Sequence, residues 1–205
     1  MADNYLEKKM EELHSGKYFV KSKNSTLPTY AGKAVFDFPV RRVIIVGNHE
    51  GYGETAALRF LKIGCKVAFF DNDKENGNKL AHDNGVRYHE VDISDSYSVK
   101  KSFSDLLKVW RDVDIVIMTC GVVEDVLSVV AEGWMEHKHR YPILSDYGGR
   151  FIICGDISPV KFSFLNEFGI KTNTINKENR SPRDIADMTV LLSLKESSIL
   201  NNLNL

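Results

Sequence analysis

What this chain lacks narrows its class before any motif is read. Its 27 Lys and Arg nearly cancel its 28 Asp and Glu, so composition supplies no basic face and nucleic acid is a poor partner. No apolar run approaches the ~20 residues that span a bilayer, and the N-terminus carries no signal-peptide core. The expectation is a soluble, cytoplasmic protein with no membrane partner. Cysteine is scarce: Cys65, Cys120 and Cys154 lie far apart, inside or at the ends of apolar runs, and read as reduced core residues. Metal-ligand clusters are missing too, because His137 and His139, beside Glu136, stand two apart and cannot face one ion from a helix. There is no internal repeat and no low-complexity tract.

What is there is an alternation of short apolar runs with amphipathic stretches, in a chain of 205 residues that suits one main domain. Strands are expected at Val43–Val46, Val67–Phe70, Val86–Val91, Ile115–Met118, Phe151–Cys154 and Ile170–Ile175. Between them, Ala56, Ala57, Phe60 and Leu61 line one helix face, and Val99, Phe103, Leu106, Leu107 and Trp110 line another. Asn84-Gly85 reads as a helix C-cap, and Ser181-Pro182-Arg183-Asp184 as the capped start of a last helix. Such alternation implies an α/β fold: a Rossmann-like doubly wound parallel sheet of about six strands, with helices on both faces. Residues 41–205 form that domain. Residues 1–40 stand outside it, as a short helix striped by Leu6, Met10 and Leu13 and an arm through Val35, Phe36 and Phe38. The arm either folds over its own sheet or reaches a second subunit to form a homo-oligomer.

The stretch from Arg42 to Gly53 organises the rest. Val43-Ile44-Ile45-Val46 reads as a strand buried on both faces, and Gly47-Asn48-His49-Glu50-Gly51-Tyr52-Gly53 as a bare turn into a helix. That geometry aims backbone N–H groups and the positive end of a helix dipole at one spot, which suits a pyrophosphate. The next apolar run ends in Asp71, where dinucleotide folds place an acid for ribose hydroxyls.

The spacing Gly47-x-x-x-Gly51-x-Gly53 resembles the glycine turn of the short-chain dehydrogenase/reductase family, with Val46 where the family usually has Thr. Glu90-Val91-Asp92-Ile93-Ser94 is similar to the end of the family's third strand, and Gly149 to Ile153 to its fifth. Asp114 to Gly121 is similar to the D-x-x-x-N-N-A-G segment, with Met118-Thr119-Cys120 replacing Asn-Asn-Ala. The resemblance implies a dinucleotide or other adenosine-containing ligand, NAD in preference to NADP. It implies contacts from Gly47, Asn48, His49, Gly51, Tyr52, Gly53, Asp71, Asp92, Ile93, Cys120 and Gly121.

The family's catalytic pair does not come with it. The resemblance calls for a Tyr and, four residues on, a Lys between strands five and six, yet the residues from Asp156 to Gly169 include no Tyr. Tyr5/Lys9 and Tyr97/Lys101 have the spacing in the wrong places. The expectation is therefore a dinucleotide-binding protein without the usual reductase chemistry. Two alternatives stand beside it. One is an active oxidoreductase using Tyr141, Tyr147, Asp156 or Lys161. The other is an interaction protein whose nucleotide site has lapsed. The segments around Gly121–Gly149 and Asn176–Arg180 read as shortened, and no seventh strand is expected after Leu200.

Overall fold

A computed structural model describes residues 19–20, 29–30, 41–119, 122–141 and 148–205. Contacts divide the chain into two units, 1–37 and 38–205. Of the first, the described part is an antiparallel pairing of Phe19 with Tyr30 and Val20 with Thr29. The expected N-terminal helix and the apolar residues of the arm lie outside the described residues.

In the second unit the described strands are β1 (Arg42–Val46), β2 (Lys66–Asp71), β3 (Arg87–Glu90), β4 (Ile115–Met118), β5 (Gly149–Cys154) and β6 (Ile170–Ile175). They form one sheet in the order β3-β2-β1-β4-β5-β6, and every neighbouring pair is parallel. The order reverses between β1 and β4, which opens a crevice at their carboxyl ends. Helices α1 (Tyr52–Lys62), α2 (Lys74–Asn84), α3 (Ser96–Trp110) and α4 (Glu124–Arg140) fill the first four crossovers, and α5 (Pro182–Leu192) follows β6. The strands alternate their side chains between two cores. Ile44 and Val46 pack with Phe103 of α3 and Trp134 of α4, while Val43 and Ile45 pack with Phe60 of α1 and Ile185 of α5. No described helix is long and apolar enough to cross a membrane.

The capping signals work as their chemistry requires. Gly85 takes φ 74° at the end of α2, a conformation that is cheap only for residues without a Cβ. Ser181 and Asp184 exchange hydrogen bonds across the start of α5, with Pro182 at the first helical position. Buried Arg150, on β5, donates to the carbonyls of Leu192 and Leu194, so a cation sits at the negative end of α5.

Three segments add to the expected frame. Helix α4 is one continuous element to Arg140. Its charged end is carried by Lys138, whose ammonium meets Asp112 at 2.6 Å with both side chains buried. The β5–β6 crossover is a 3-10 segment, Pro159–Phe168, kinked at Phe162. Finally, residues 202–205 run beside β6. Asn202 N–H donates to Thr172 O at 2.7 Å, Thr174 N–H to Leu203 O at 2.8 Å and Leu205 N–H to Thr174 O at 3.0 Å, with a parallel bridge at Thr174–Asn204. Among the described residues the sheet keeps its six strands, and the tail adds this isolated bridge rather than a seventh. An Asn-rich tail has little strand propensity of its own, and it is held by the buried Asn173 side chain, which bonds Leu200 O and Leu203 N–H.

The Lys138–Asp112 pair fixes the end of α4 to the entry of β4. Lys138→Met should lower the unfolding free energy by about 3–5 kcal/mol, since it strands a buried carboxylate. Asp112→Leu combined with Lys138→Met should recover most of that loss in denaturant titrations. A double variant no better than the single one would show that the damage is steric.

Candidate functional site

The glycine turn sits at the carboxyl end of β1, and its three glycines have different duties. A Cβ on Gly53 would lie 2.0 Å from Gly47 O and 2.9 Å from the Phe69 ring. A Cβ on Gly47 would meet Thr119 Oγ1 at 2.6 Å, with Val122 and Ile93 just beyond. These two glycines let the turn fold onto its own backbone and onto the ends of β4 and β3. Gly51 differs, because a Cβ there meets nothing within 4 Å. It is the left-handed N-cap of α1, at φ 79°, and faces open space.

Because Gly51 has no side chain to cap α1, Asn48 does so: its Oδ1 accepts Glu54 N–H at 2.9 Å. His49 opens the short 3-10 turn that ends at Gly51. Glu50, exposed, holds φ 52°, a left-handed conformation uncommon outside glycine. Tyr52 turns inward; it is 5% exposed, and its hydroxyl donates to Arg180 O at 3.4 Å. Its side chain therefore ties the turn to the segment after β6, and only its backbone faces the crevice side of the helix start.

Asp71 ends β2 and is 4% exposed. Among the described residues no side-chain cation pairs with it. Burial pushes its carboxyl above the usual range, Asp73 adds to the rise, and backbone N–H groups of Asn72 and Asp73 oppose it. Its neighbours are also acidic. Glu90 stands opposite it on β3, and Asp73 caps α2. Tyr88, whose hydroxyl donates to Asp71 O at 2.9 Å, is pushed up to about 12 by burial and then by Asp71, Glu90 and Asp73.

The remaining expected contacts fall into three groups. Ile93, half-buried, lies beside Gly47. Asp92 is exposed, and one of its carboxylate oxygens is already engaged by Ser94 N–H at 2.9 Å and Ser94 Oγ–H at 2.6 Å, which holds the group below the usual carboxylate range. Cys120 and Gly121 lie outside the described residues. Sequence reasoning missed Thr119, whose buried hydroxyl donates to Val46 O at 2.9 Å and so joins β1 to β4 at the floor of the crevice. Its signal was the break in the Asn-Asn-Ala pattern, read only as a loss.

The groups weighed as substitute catalysts are scattered. Tyr141 follows the C-terminus of α4, a helix of 17 residues, so it stands roughly 25 Å along the axis from the crevice end. Tyr147 lies outside the described residues, and Lys161 is bound to Glu124. Tyr97 is 73% exposed on the first turn of α3. Asp156 alone reaches the crevice, on the loop after β5, where it lines a cavity of about 220 Å3 with Thr119, Val122 and Lys177. His137 and His139 point apart, one to Arg111 O and the other edge-on to Phe168.

Residues 46–139 match the family model described as enoyl-(acyl carrier protein) reductase. A serine 3-dehydrogenase of Rhizobium radiobacter is 33% identical over 82 residues, which cover 39% of this chain and 33% of that protein. The chain thus spans about a third of the length of the curated relatives it matches. A short-chain dehydrogenase from Mycobacterium smegmatis superposes with a TM-score of 0.64 at 14% identity, covering 88% of this chain and 96% of that one. A structure titled ribose-5-phosphate isomerase, from Brucella melitensis 16M, reaches 0.70 at 12% identity, covering 84% and 92%. At such identities the likeness speaks for the fold alone.

The state of Asp71 is open to a direct test. A carboxyl whose folded pKa lies above its unfolded value binds its proton more readily when folded. Its ionised form therefore costs stability above the folded pKa, and the cost vanishes below the unfolded one. Asp71→Asn should melt higher than the parent at neutral pH, and the gap should close as the pH falls below about 4. A variant that melts lower at neutral pH would mean that a favourable partner already holds the carboxylate.

Proposed function

We propose that this chain, which is similar to the short-chain dehydrogenase/reductase family, binds a nicotinamide dinucleotide through its adenosine and pyrophosphate half, NAD in preference to NADP, without that family's usual carbonyl reduction. The observation that carries the reading is the pairing of an open left-handed Gly51 at the start of α1 with a buried carboxylate at the end of β2 that no described cation satisfies. The residues fit the ligand. Gly51 and the backbone of Tyr52 and Gly53 would hold the pyrophosphate, Asp71 the ribose hydroxyls, and Ile93 one wall of the adenine side. Such a cofactor supplies a hydride carrier when bound.

Asp71, Asp73 and Glu50 favour NAD, while Glu90 is paired with Lys74. A 2′-phosphate brought against these acids would be opposed by on the order of 1–4 kcal/mol per close pair at the dielectric of a protein surface. NAD should bind more tightly than NADP in calorimetry, and Asp71→Ala should narrow the difference. Gly51→Asn should weaken NAD at least about tenfold at unchanged melting temperature. Asn tolerates the left-handed backbone yet fills the open space. Equal affinities for NAD and NADP would remove Asp71 from the ribose. Full binding by Gly51→Asn would move the pyrophosphate elsewhere.

Loss of reductase chemistry follows from the same side chains. A positioned proton donor contributes roughly 10²–10⁴-fold to a rate. The β5–β6 crossover, where the family carries its Tyr and Lys, is here the segment Pro159–Phe168, which has no Tyr. With NADH and a panel of ketones, aldehydes and quinones, the purified protein should match the buffer blank. Turnover that survives repurification and disappears in Asp156→Asn or Tyr147→Phe would favour an oxidoreductase with unusual groups.

A further inference from the structure

The acid at the end of β2 is held by more than its own strand. Asp71 O, the last carbonyl of β2, accepts Val91 N–H at 3.0 Å and the Tyr88 hydroxyl at 2.9 Å. A carbonyl oxygen has two lone pairs, so both are engaged. The same peptide unit carries the Asn72 N–H, which bonds the Asp71 carboxyl. Peptide units are planar, so fixing the oxygen at one end aims the N–H at the other. Tyr88 thus reaches the Asp71 carboxyl through the backbone.

The seat of the Tyr88 ring is cut out of α2. Tyr88 pairs with Phe69 and shares a face of β3 with Glu90, which pairs with Asp71. From that face the ring passes over buried Gly77 of α2, where a Cβ would lie 2.1 Å from Cε2 and 2.4 Å from Cδ2 and Cζ. Glycine is disfavoured inside a helix, and any other residue at this position would drive the ring off. Phe69 supports the ring from β2, with 6.4 Å between centroids. Of the charged groups around Asp71, Asp73 caps α2, and Glu90 is bound to Lys74 at 2.9 Å. A phenylalanine would fill the same seat, so packing alone does not call for the hydroxyl. We infer that Tyr88 is a positioning residue: its hydroxyl, seated over Gly77, holds the Asp71–Asn72 peptide so that the Asp71 carboxylate is presented to the ribose and sets the preference for NAD over NADP. The inference rests on the proposed dinucleotide reading for the identity of the ligand, and on geometry alone for the hold on Asp71.

Tyr88→Phe removes the hydroxyl and leaves the ring in its seat, and two measurements on the full chain read the result. In the first, carbon-detected NMR follows the Asp71 carboxyl through a pH titration without nucleotide. Once the hydroxyl is gone, the Asn72 N–H is no longer held on the carboxylate, and the ionised form loses a donor. Asp71 should then titrate higher, by roughly half a pH unit for one ordinary hydrogen bond. Mere loosening of the packing would admit water and move it down, towards the ordinary carboxylate range. In the second, calorimetry compares NAD with NADP, and Tyr88→Phe should narrow the preference for NAD about threefold. An Asp71 titration that stays put or falls would overturn the inference, and so would an unchanged preference where the parent prefers NAD. A parent that binds neither nucleotide, or both equally, removes the proposed reading instead. The titration then decides the hold of Tyr88 on Asp71 by itself, a rise for it and any other result against it.

Discussion

The constraint on which the crevice depends is the contact of the β1–α1 turn with itself. Gly47 O lies where a Cβ on Gly53 would be, at 2.0 Å, so any side chain at position 53 forces the turn open. With the turn closed, Tyr52 is directed into the core below α1 and Gly51 is left as the bare outer position. The same closure seats Gly47 against Thr119 and brings the ends of β1 and β4 together. Everything placed at the carboxyl ends of the strands inherits its position from this contact.

Much of that was legible in the sequence, because it rests on local rules. Uninterrupted aliphatic runs specify strands buried on two faces, and Asn84-Gly85 and Ser181-Pro182 mark helix ends through backbone geometry that other residues resist. Asp71 could be found because its place follows from counting along a β-α-β unit. The glycines were legible as a group, but their separate duties were not. Spacing cannot distinguish a glycine that makes room for the protein's own carbonyl from one that leaves room for a ligand.

The rest was hidden because it depends on distant partners. Nothing near Lys138 in sequence announces a buried ion pair, since Asp112 lies on another element and the pairing exists only when α4 lies along the sheet. The tail beside β6 escaped for the same reason. Its pairing is enforced by Asn173 from within the neighbouring strand, against the weak propensity of Asn201, Asn202 and Asn204. Asp92 shows the converse. A residue identified through resemblance has a carboxylate oxygen engaged by its own turn, so part of its acceptor capacity is spent locally.

The two halves of the crevice have followed different physical courses. On the Asp71 side a buried carboxyl group is kept without a described cation, and burial and then Asp73 raise the energy of its charged form. Such an arrangement works against stability and makes sense where a neutral hydroxyl donor is to be recognised. On the Asp156 side the crossover is a 3-10 segment that closes the core with Phe162 and Leu165. Packing tolerates so short a crossover, because apolar side chains at the right depth can satisfy the sheet from a short segment as from a long helix. Proton transfer does not, because it needs one acid at one distance from one atom. A short crossover can therefore preserve the fold without holding an acid at one fixed place.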